Sequence, residues 1–494
     1  MDSFSFEQKQ DIGLSFVLDL LEPACPYGAK LLNKPRFYTP SEKAELENEL
    51  DNVSIMLSAL NNEPEKVAAV RHSLSTLKDV SGSIENCASG ALDETELFEL
   101  TAFLLRVREL IPLAESLPNY ENMEGTRFEC VKGPLSVLDP KNTGRLSFFV
   151  EDSRTPELMR LRRKKRELEE KLRLPEADKD AIIAERIVVT SGEERELLSI
   201  YKAMSDALRP LLPILDSNAA AAGRLDAAIS KAHLARRFDG IRPQMGGETL
   251  AFEEAINPEI AEALNANARK FTPITIELPK GVTILTGANM GGKSVAVKTI
   301  ALNASLALMG FFVFCKGAAV PLFDRTELIN RDFSSTVGGL SSFGGEIIRF
   351  NEAVDRLRDG GLSFIAMDEF ARGTNSEEGA AIVRGVVKFL NDKNAVTILA
   401  THHDGAAEFA SRRYQVHGLL SSDVINSNEK SKSISTHAPP STEFSVLSSN
   451  LCNYMNYGLV QVDKSAEQPH EALRICRLLG MDKEIINDIE GGTI

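Results

Sequence analysis

Thr286 to Ser294 reads T-G-A-N-M-G-G-K-S, and the interpretation of the whole chain turns on this stretch. From Gly287 onward it satisfies G-x-x-x-x-G-K-S. Ahead of it, Val282-Thr283-Ile284-Leu285 is a short apolar, β-branched run that predicts a strand. Behind it, Val295 to Met309 has helical composition and stops at Gly310, a residue suited to a helix C-cap. A glycine-rich turn between a strand and a helix lets successive backbone N–H groups converge on phosphate oxygens, and the helix N-terminus adds partial positive charge. The pattern assigns Lys293 to the β- and γ-phosphates and the Ser294 hydroxyl to Mg²⁺. Gly287, Ala288, Asn289, Met290, Gly291, Gly292 and Val295 complete the expected nucleotide-binding set. A turn that is merely glycine-rich is the bland alternative; the full pattern and both flanks argue against it.

Three further segments fit the same chemistry. Leu362 to Glu369, L-S-F-I-A-M-D-E, predicts a buried parallel strand ending in two carboxylates at the sheet's C-terminal edge. Asp368 is placed to hold Mg²⁺, and Glu369 to orient or deprotonate the attacking water. A second apolar strand, Ala395 to Ala400, delivers Thr401-His402-His403, with His402 read as a catalytic group near the γ-phosphate and His403 as compatible with either role. Ser341 and Ser342 precede a run with apolar residues at Ile347, Phe350, Val354 and Leu357, so they start an amphipathic helix. One P-loop already cradles its own nucleotide, so this second helix start is assigned to the nucleotide of a neighbouring subunit, which implies a dimer. Simple N-capping by either serine is compatible with that role.

These motifs together resemble the MutS proteins of DNA mismatch repair and their relatives, a branch of the ABC-type ATPases. T-G-A-N-M-G-G-K-S is similar to the family's T-G-P-N-M-G-G-K-S, with Ala288 in place of proline and Val295 in place of threonine. M-D-E-F-A-R-G-T-N-S at Met367 to Ser376, A-T-H at Ala400 to His402 and S-S-F at Ser341 to Phe343 resemble its other motifs. The resemblance implies an α/β P-loop ATPase domain of ABC/MutS type, preceded by a mostly α-helical core/lever domain. It also implies ATP and Mg²⁺ as cofactors and a homodimer, or a heterodimer with a related ATPase. Leu138-Asp139-Pro140 with Phe148 to Arg166 is similar to the family's core hairpin and first long helix, and Ile214 to Ala235 to the returning helix. Tyr457-Gly458-Leu459 and Ala472 to Ile486 resemble the C-terminal helix pair through which family ATPase domains dimerise.

The expected organisation is a helical N-terminal region at 1–125, the core/lever domain at 126–255 and the ATPase domain at 256–420. A loop rich in Ser, Asn, Pro and Lys follows at 421–447, then a C-terminal strand and helical dimerisation segment at 448–494. Leu278 to Gly281 predicts a tight turn joining an outer strand, Ile274 to Glu277, to the strand before the P-loop. With 43% hydrophobic and 26% charged residues in 494, the composition is that of an ordinary globular protein. Neither a leader nor a membrane-spanning apolar run is read, and six cysteines without C-x-x-C spacing suit a reducing cytoplasm. Within Pro156 to Leu174, six basic residues (Arg160, Arg162, Arg163, Lys164, Lys165, Arg166) interleave with glutamates. That pattern reads first as a solvated, coiled-coil-like face and second as a contact for nucleic acid or an acidic partner.

The target divides into two readings. A mismatch reader needs a domain around a stacking Phe and nearby Glu; Phe4, Phe6 and Glu7 are present without one of the required size. Net charge is −15, there is no Trp and only 7 Tyr, which argue against a duplex-binding surface and against single-strand stacking. The first reading is therefore a protein client, on a resemblance to the MutS-like ATPase component that reactivates cobalamin-dependent aminomutases. The alternative is mismatched or branched DNA in repair or recombination. Phe271 is the one ring singled out as an adenine stacker.

Overall fold

The computed structural model describes residues 4–146, 150–174, 178–287, 291–329, 342–358, 360–403, 405–419, 455–463 and 472–478, with single positions between 481 and 489. In chain order the helices begin with α1 (Phe6–Asp11), α2 (Leu14–Asp19), α3 (Pro26–Asn33), α4 (Lys43–Asn62), α5 (Pro64–Ser75) and α6 (Ser81–Ser89). They continue with α7 (Glu94–Glu115), α8 (Lys132–Leu138), α9 (Pro156–Leu172), α10 (Lys179–Leu208) and α11 (Leu212–Arg237). Then follow β1 (Gln244–Met245), β2 (Leu250–Ala255), α12 (Pro258–Ala266), β3 (Ile274–Leu278), β4 (Gly281–Thr286) and α13 (Lys293–Leu308). The remainder is β5 (Gly317–Val320), β6 (Arg325–Ile329), α14 (Ser342–Arg358), β7 (Ser363–Asp368), α15 (Ser376–Asn391), β8 (Ala395–Ala400), β9 (Arg412–Leu419), β10 (Met455–Gln461) and a last helix, Ala472–Leu478.

Two compact units result. One gathers the described residues of Met1–Leu21, Pro35–Leu50 and Leu234–Ile494, and the other those of Glu22–Lys34 and Asp51–His233. No division falls at 125/126, and the first helices belong with the sheet unit rather than with an N-terminal helical region. The cause is burial: Phe4, Ile12, Leu14 and Val17 are buried, the Gln8 amide donates to the Leu328 carbonyl of β6 (2.9 Å), and Asp11 pairs with Lys298 of α13 (2.6 Å).

In the helical unit, α9 starts as its sequence dictates, with Thr155 accepting from the Leu158 N–H and Pro156 at the first helical position. α9 and α10 form an antiparallel hairpin around Leu161, Leu168 and Val189. Five of the six residues of its basic stretch have acidic partners, while Arg163 is exposed: Arg162 pairs with Glu193 (2.8 Å) and Asp152 (2.9 Å), Lys164 with Glu185 (2.9 Å), and Lys165 with Glu193 (2.7 Å). Arg166 pairs with Asp152 (3.1 Å) and Arg160 with Glu157 (2.6 Å). This is the coiled-coil-like face that the Glu/Arg interleaving predicts. Residues 139–146 form a turn in which Asp139 accepts from Thr143 and Gly144, rather than a strand hairpin; Phe148 and Phe149 lie outside the described residues.

In the sheet unit, a six-stranded sheet runs β10-β9-β4-β8-β7-β6, parallel throughout except for β10 against β9. β4 and β8 are buried at every residue, as both-face-covered parallel strands must be, which is why they read as continuous apolar runs. α14 and α15 cover one cluster built on β4, β7 and β8, and α13 is buried on almost all sides. A separate four-stranded sheet, β1-β5-β2-β3, takes Ile274 to Leu278, so the expected turn at Pro279 joins this outer strand to β4 by passing from one sheet to the other. Tyr457-Gly458-Leu459 lie in β10, not in a helix pair: Leu459 pairs with Val416 of β9. The loop expected at 421–447 is outside the described residues. Among the described residues no helix is long and apolar enough to cross a membrane.

Candidate functional site

Strand register brings the site together. Leu285 of β4 lies opposite Ala400 of β8, and Ala400 opposite Asp368 of β7, so three strands end in one row at their C-terminal edge. Open α/β sheets bind ligands at that edge. The next residue of each strand reinforces the row: the Thr401 N–H donates to the Leu285 carbonyl (3.1 Å) and the Glu369 N–H to the Ala400 carbonyl (3.0 Å).

The loop after β4 needs its glycines. Gly287 has φ 134° and a Cβ there would meet Val416 at 3.1 Å; Gly292 has φ 91° and a Cβ would lie 3.1 Å from Cδ1 of Tyr457. Both φ values are open to glycine and strained for other residues. Lys293, 3% exposed, opens α13 and donates from Nζ to the Gly287 carbonyl (2.7 Å). The Ser294 hydroxyl donates to Oδ1 of Asp368 (3.0 Å), joining the loop helix to the end of β7. Gly291 is buried, Val295 is half-buried, and Ala288, Asn289 and Met290 lie outside the described residues.

Burial dominates the electrostatics. It pushes the Asp368 carboxyl above the usual range despite the Ser294 hydrogen bond, with Glu369 pushing the same way and Lys298 opposing. It lowers the Lys293 ammonium, which Glu369 and Asp368 partly restore. A buried cation facing two carboxylates has its charges arranged for an anionic ligand bearing a metal. Glu369 leaves β7 with φ 51° and forms an ion pair with Arg372.

His402 and His403 part company. Their rings stack 4.2 Å apart, but His403 is 4% exposed, and a Cβ on Gly379 of α15 would lie 2.7 Å from its Cε1. His402 is half-buried, and burial, then His403, hold its pKa below the usual value while Glu369 opposes. Ser342 opens α14, as the amphipathic pattern predicts; its side chain and Ser341 are outside the described residues. Phe271 lies just ahead of β3, half-buried. Two further residues join the site: Arg372, which carries no sequence-derived role, beside Glu369, and Tyr457, which the sequence assigns to dimerisation, over Gly292. Tyr457 reaches it only because β10 pairs with β9, a long-range register that carries no local signal.

Residues 283–477 match the family model for MutS domain V. By this segment the chain is similar to the MutS family. It is 29% identical over 220 residues to a DNA mismatch repair protein MutS of Natronomonas pharaonis, covering 43% of this chain and 25% of that protein. A MutS of Haloquadratum walsbyi is 34% identical over 191 residues (38% of this chain, 20% of that protein). The Endonuclease MutS2 of Thermomicrobium roseum is 30% identical over 227 residues (44% and 28%). The matched stretch spans about a quarter of the length of these MutS relatives. It contains β4, the glycine loop, β7, β8 and α14, the elements that build the row described above.

Proposed function

We propose that the chain binds ATP with Mg²⁺ at this row and hydrolyses it to drive a conformational change in a macromolecular partner. The observation that carries the reading is the Ser294–Asp368 contact at 3.0 Å, beside a buried lysine and a glycine loop with no room for Cβ atoms. Hydroxyl and carboxylate oxygens are the hard donors that Mg²⁺ takes, and glycine keeps backbone N–H groups free to approach phosphate. When bound, the ion supplies neutralisation of phosphoryl oxygens. Lys293 carries the charge for the β- and γ-phosphates. Glu369 orients or deprotonates water once its carboxylate turns from Arg372. His402, neutral at pH 7, offers a hydrogen bond without adding net charge. The Tyr457 ring supplies a face for the base, a better-placed stacker than Phe271 because it lies against the loop itself. Ser341 and Ser342 complete the site of a second subunit in a homodimer, or in a heterodimer with a related ATPase. Calorimetric titration of ATP with and without Mg²⁺, beside phosphate release, tests the proposal; unchanged affinity in Lys293→Ala refutes it.

The client is proposed to be a protein, an aminomutase being the resemblance-based choice, acting in the cytoplasm. Two observations support this: the net charge of −15, and a helical hairpin in which Arg162, Lys164 and Lys165 are paired with Glu193 and Glu185 of the facing helix. Duplex binding depends on lysines and arginines available to phosphates. The names of the relatives favour the second reading, mismatched or branched DNA. Salt-dependent binding to duplex and four-way DNA, measured beside capture of a purified aminomutase, separates the two.

A further inference from the structure

The turn after β7 holds two strained residues, Glu369 at φ 51° and Ala371 at φ 65°. Neither is glycine, and such conformations persist only where the surroundings enforce them. The Glu369 N–H is taken by the Ala400 carbonyl of β8 (3.0 Å). The Ala371 N–H is taken by a side chain from another element: Oε2 of Glu346, on α14, at 3.0 Å. Glu346 is 4% exposed, and burying a carboxylate is costly, so its presence needs a reason. Around it, Phe343, Ile347 and Phe350 of α14 pack on the cluster containing Phe370 and Ala371, with the Phe350 and Phe370 rings 5.5 Å apart. One helix thus grips the turn by a buried acceptor and an aromatic contact.

We propose that Glu346 is a positioning residue for Glu369, tying the direction of the water-activating carboxylate to the seat of α14. The inference rests on the nucleotide reading above and deepens it. α14 begins at Ser342, at the end assigned to a neighbour's nucleotide. Displacement of that helix when a second copy's triphosphate engages it passes through a single carboxylate to the turn that carries the first copy's own Glu369. What one subunit touches then sets how the same subunit hydrolyses.

The full chain with Glu346→Gln or Glu346→Ala tests this. Glutamine keeps an oxygen for the Ala371 N–H; alanine removes it. In the alanine variant turnover should fall by on the order of ten- to a hundredfold while affinity for a non-hydrolysable Mg²⁺–ATP analogue moves by less than about twofold, and glutamine should restore most of the turnover. Hydrogen exchange of the peptide Met367–Arg372 should quicken with alanine and not with glutamine. Wild-type turnover and exchange in Glu346→Ala would overturn the assignment. Joint loss of affinity and turnover in both variants would do the same, marking Glu346 as general support for the fold. If the unmodified chain is inert toward Mg²⁺–ATP, the nucleotide reading fails first, and the exchange comparison still decides separately whether Glu346 holds the turn.

Discussion

Lys293, Ser294, Asp368 and Glu369 gather at one sheet edge, with the Ser294 hydroxyl 3.0 Å from Asp368, yet their substitutions should separate cleanly. Lys293→Ala removes a charge-assisted contact, so the dissociation constant for ATP should rise by about tenfold or more in a calorimetric titration. Glu369→Ala should leave that constant near its original value and reduce phosphate release by on the order of a hundredfold or more. Tyr457→Ala should weaken nucleotide binding by ~3- to 10-fold with turnover at saturation retained, a split that identifies base stacking rather than chemistry. The first four residues were legible because each closes a strand or opens a helix inside a short pattern whose spacing fixes its neighbours. Arg372 stood in plain view, but its partner depends on the left-handed turn at Glu369. Tyr457 and Glu346 reach the site by sheet pairing and by packing across long separations, and no window of sequence encodes that.

At the scale of elements, the α9–α10 hairpin gives the sharpest expectation. Glu193 serves both Arg162 and Lys165 from a buried position. Burial raises its carboxyl, but the hydrogen bonds from Lys165 and Arg162 outweigh that and leave it below the ordinary value of 4.5. A depressed carboxyl contributes stability that is present above the unfolded value and lost as pH falls through the folded one. Circular dichroism and exchange should therefore record loosening of this hairpin as pH falls below the unfolded carboxyl value of 4.5, with a smaller acid loss in Glu193→Gln. Glu193→Ala should cost about 1–3 kcal/mol in thermal denaturation, since it leaves a buried guanidinium short of an acceptor. The interleaved charges announced the hairpin, and the parallel strands announced themselves as unbroken apolar runs. Tyr457-Gly458-Leu459 resembles a helical segment of the family yet lies in a strand, as expected somewhere within 448–494, because Tyr, Leu and Val favour extended backbone and β9 offers a partner edge.

For the molecule as a whole, two units with separate cores follow from where apolar residues are buried, and no periodicity reveals that Phe4 and Ile12 belong with a sheet that begins more than two hundred residues later. If a second copy completes the site, as proposed, turnover per chain depends on concentration: phosphate release should fall on dilution, and sedimentation of Glu369→Ala with Mg²⁺–ATP should show the dimer accumulating. Ser342→Ala should lower turnover while leaving nucleotide affinity of the single chain intact; loss of affinity instead would return that serine to a simple cap. The opening helices also have a practical bearing on handling. The first of them meets β6, the edge strand of the six-stranded sheet among the described residues, with Gln8 occupying one of its carbonyls. Shortening the gene to start at Pro35 would bare a rim of unpaired backbone together with the greasy surface that Leu14 and Val17 now cover, and the product should precipitate during purification long before its catalysis could be assayed.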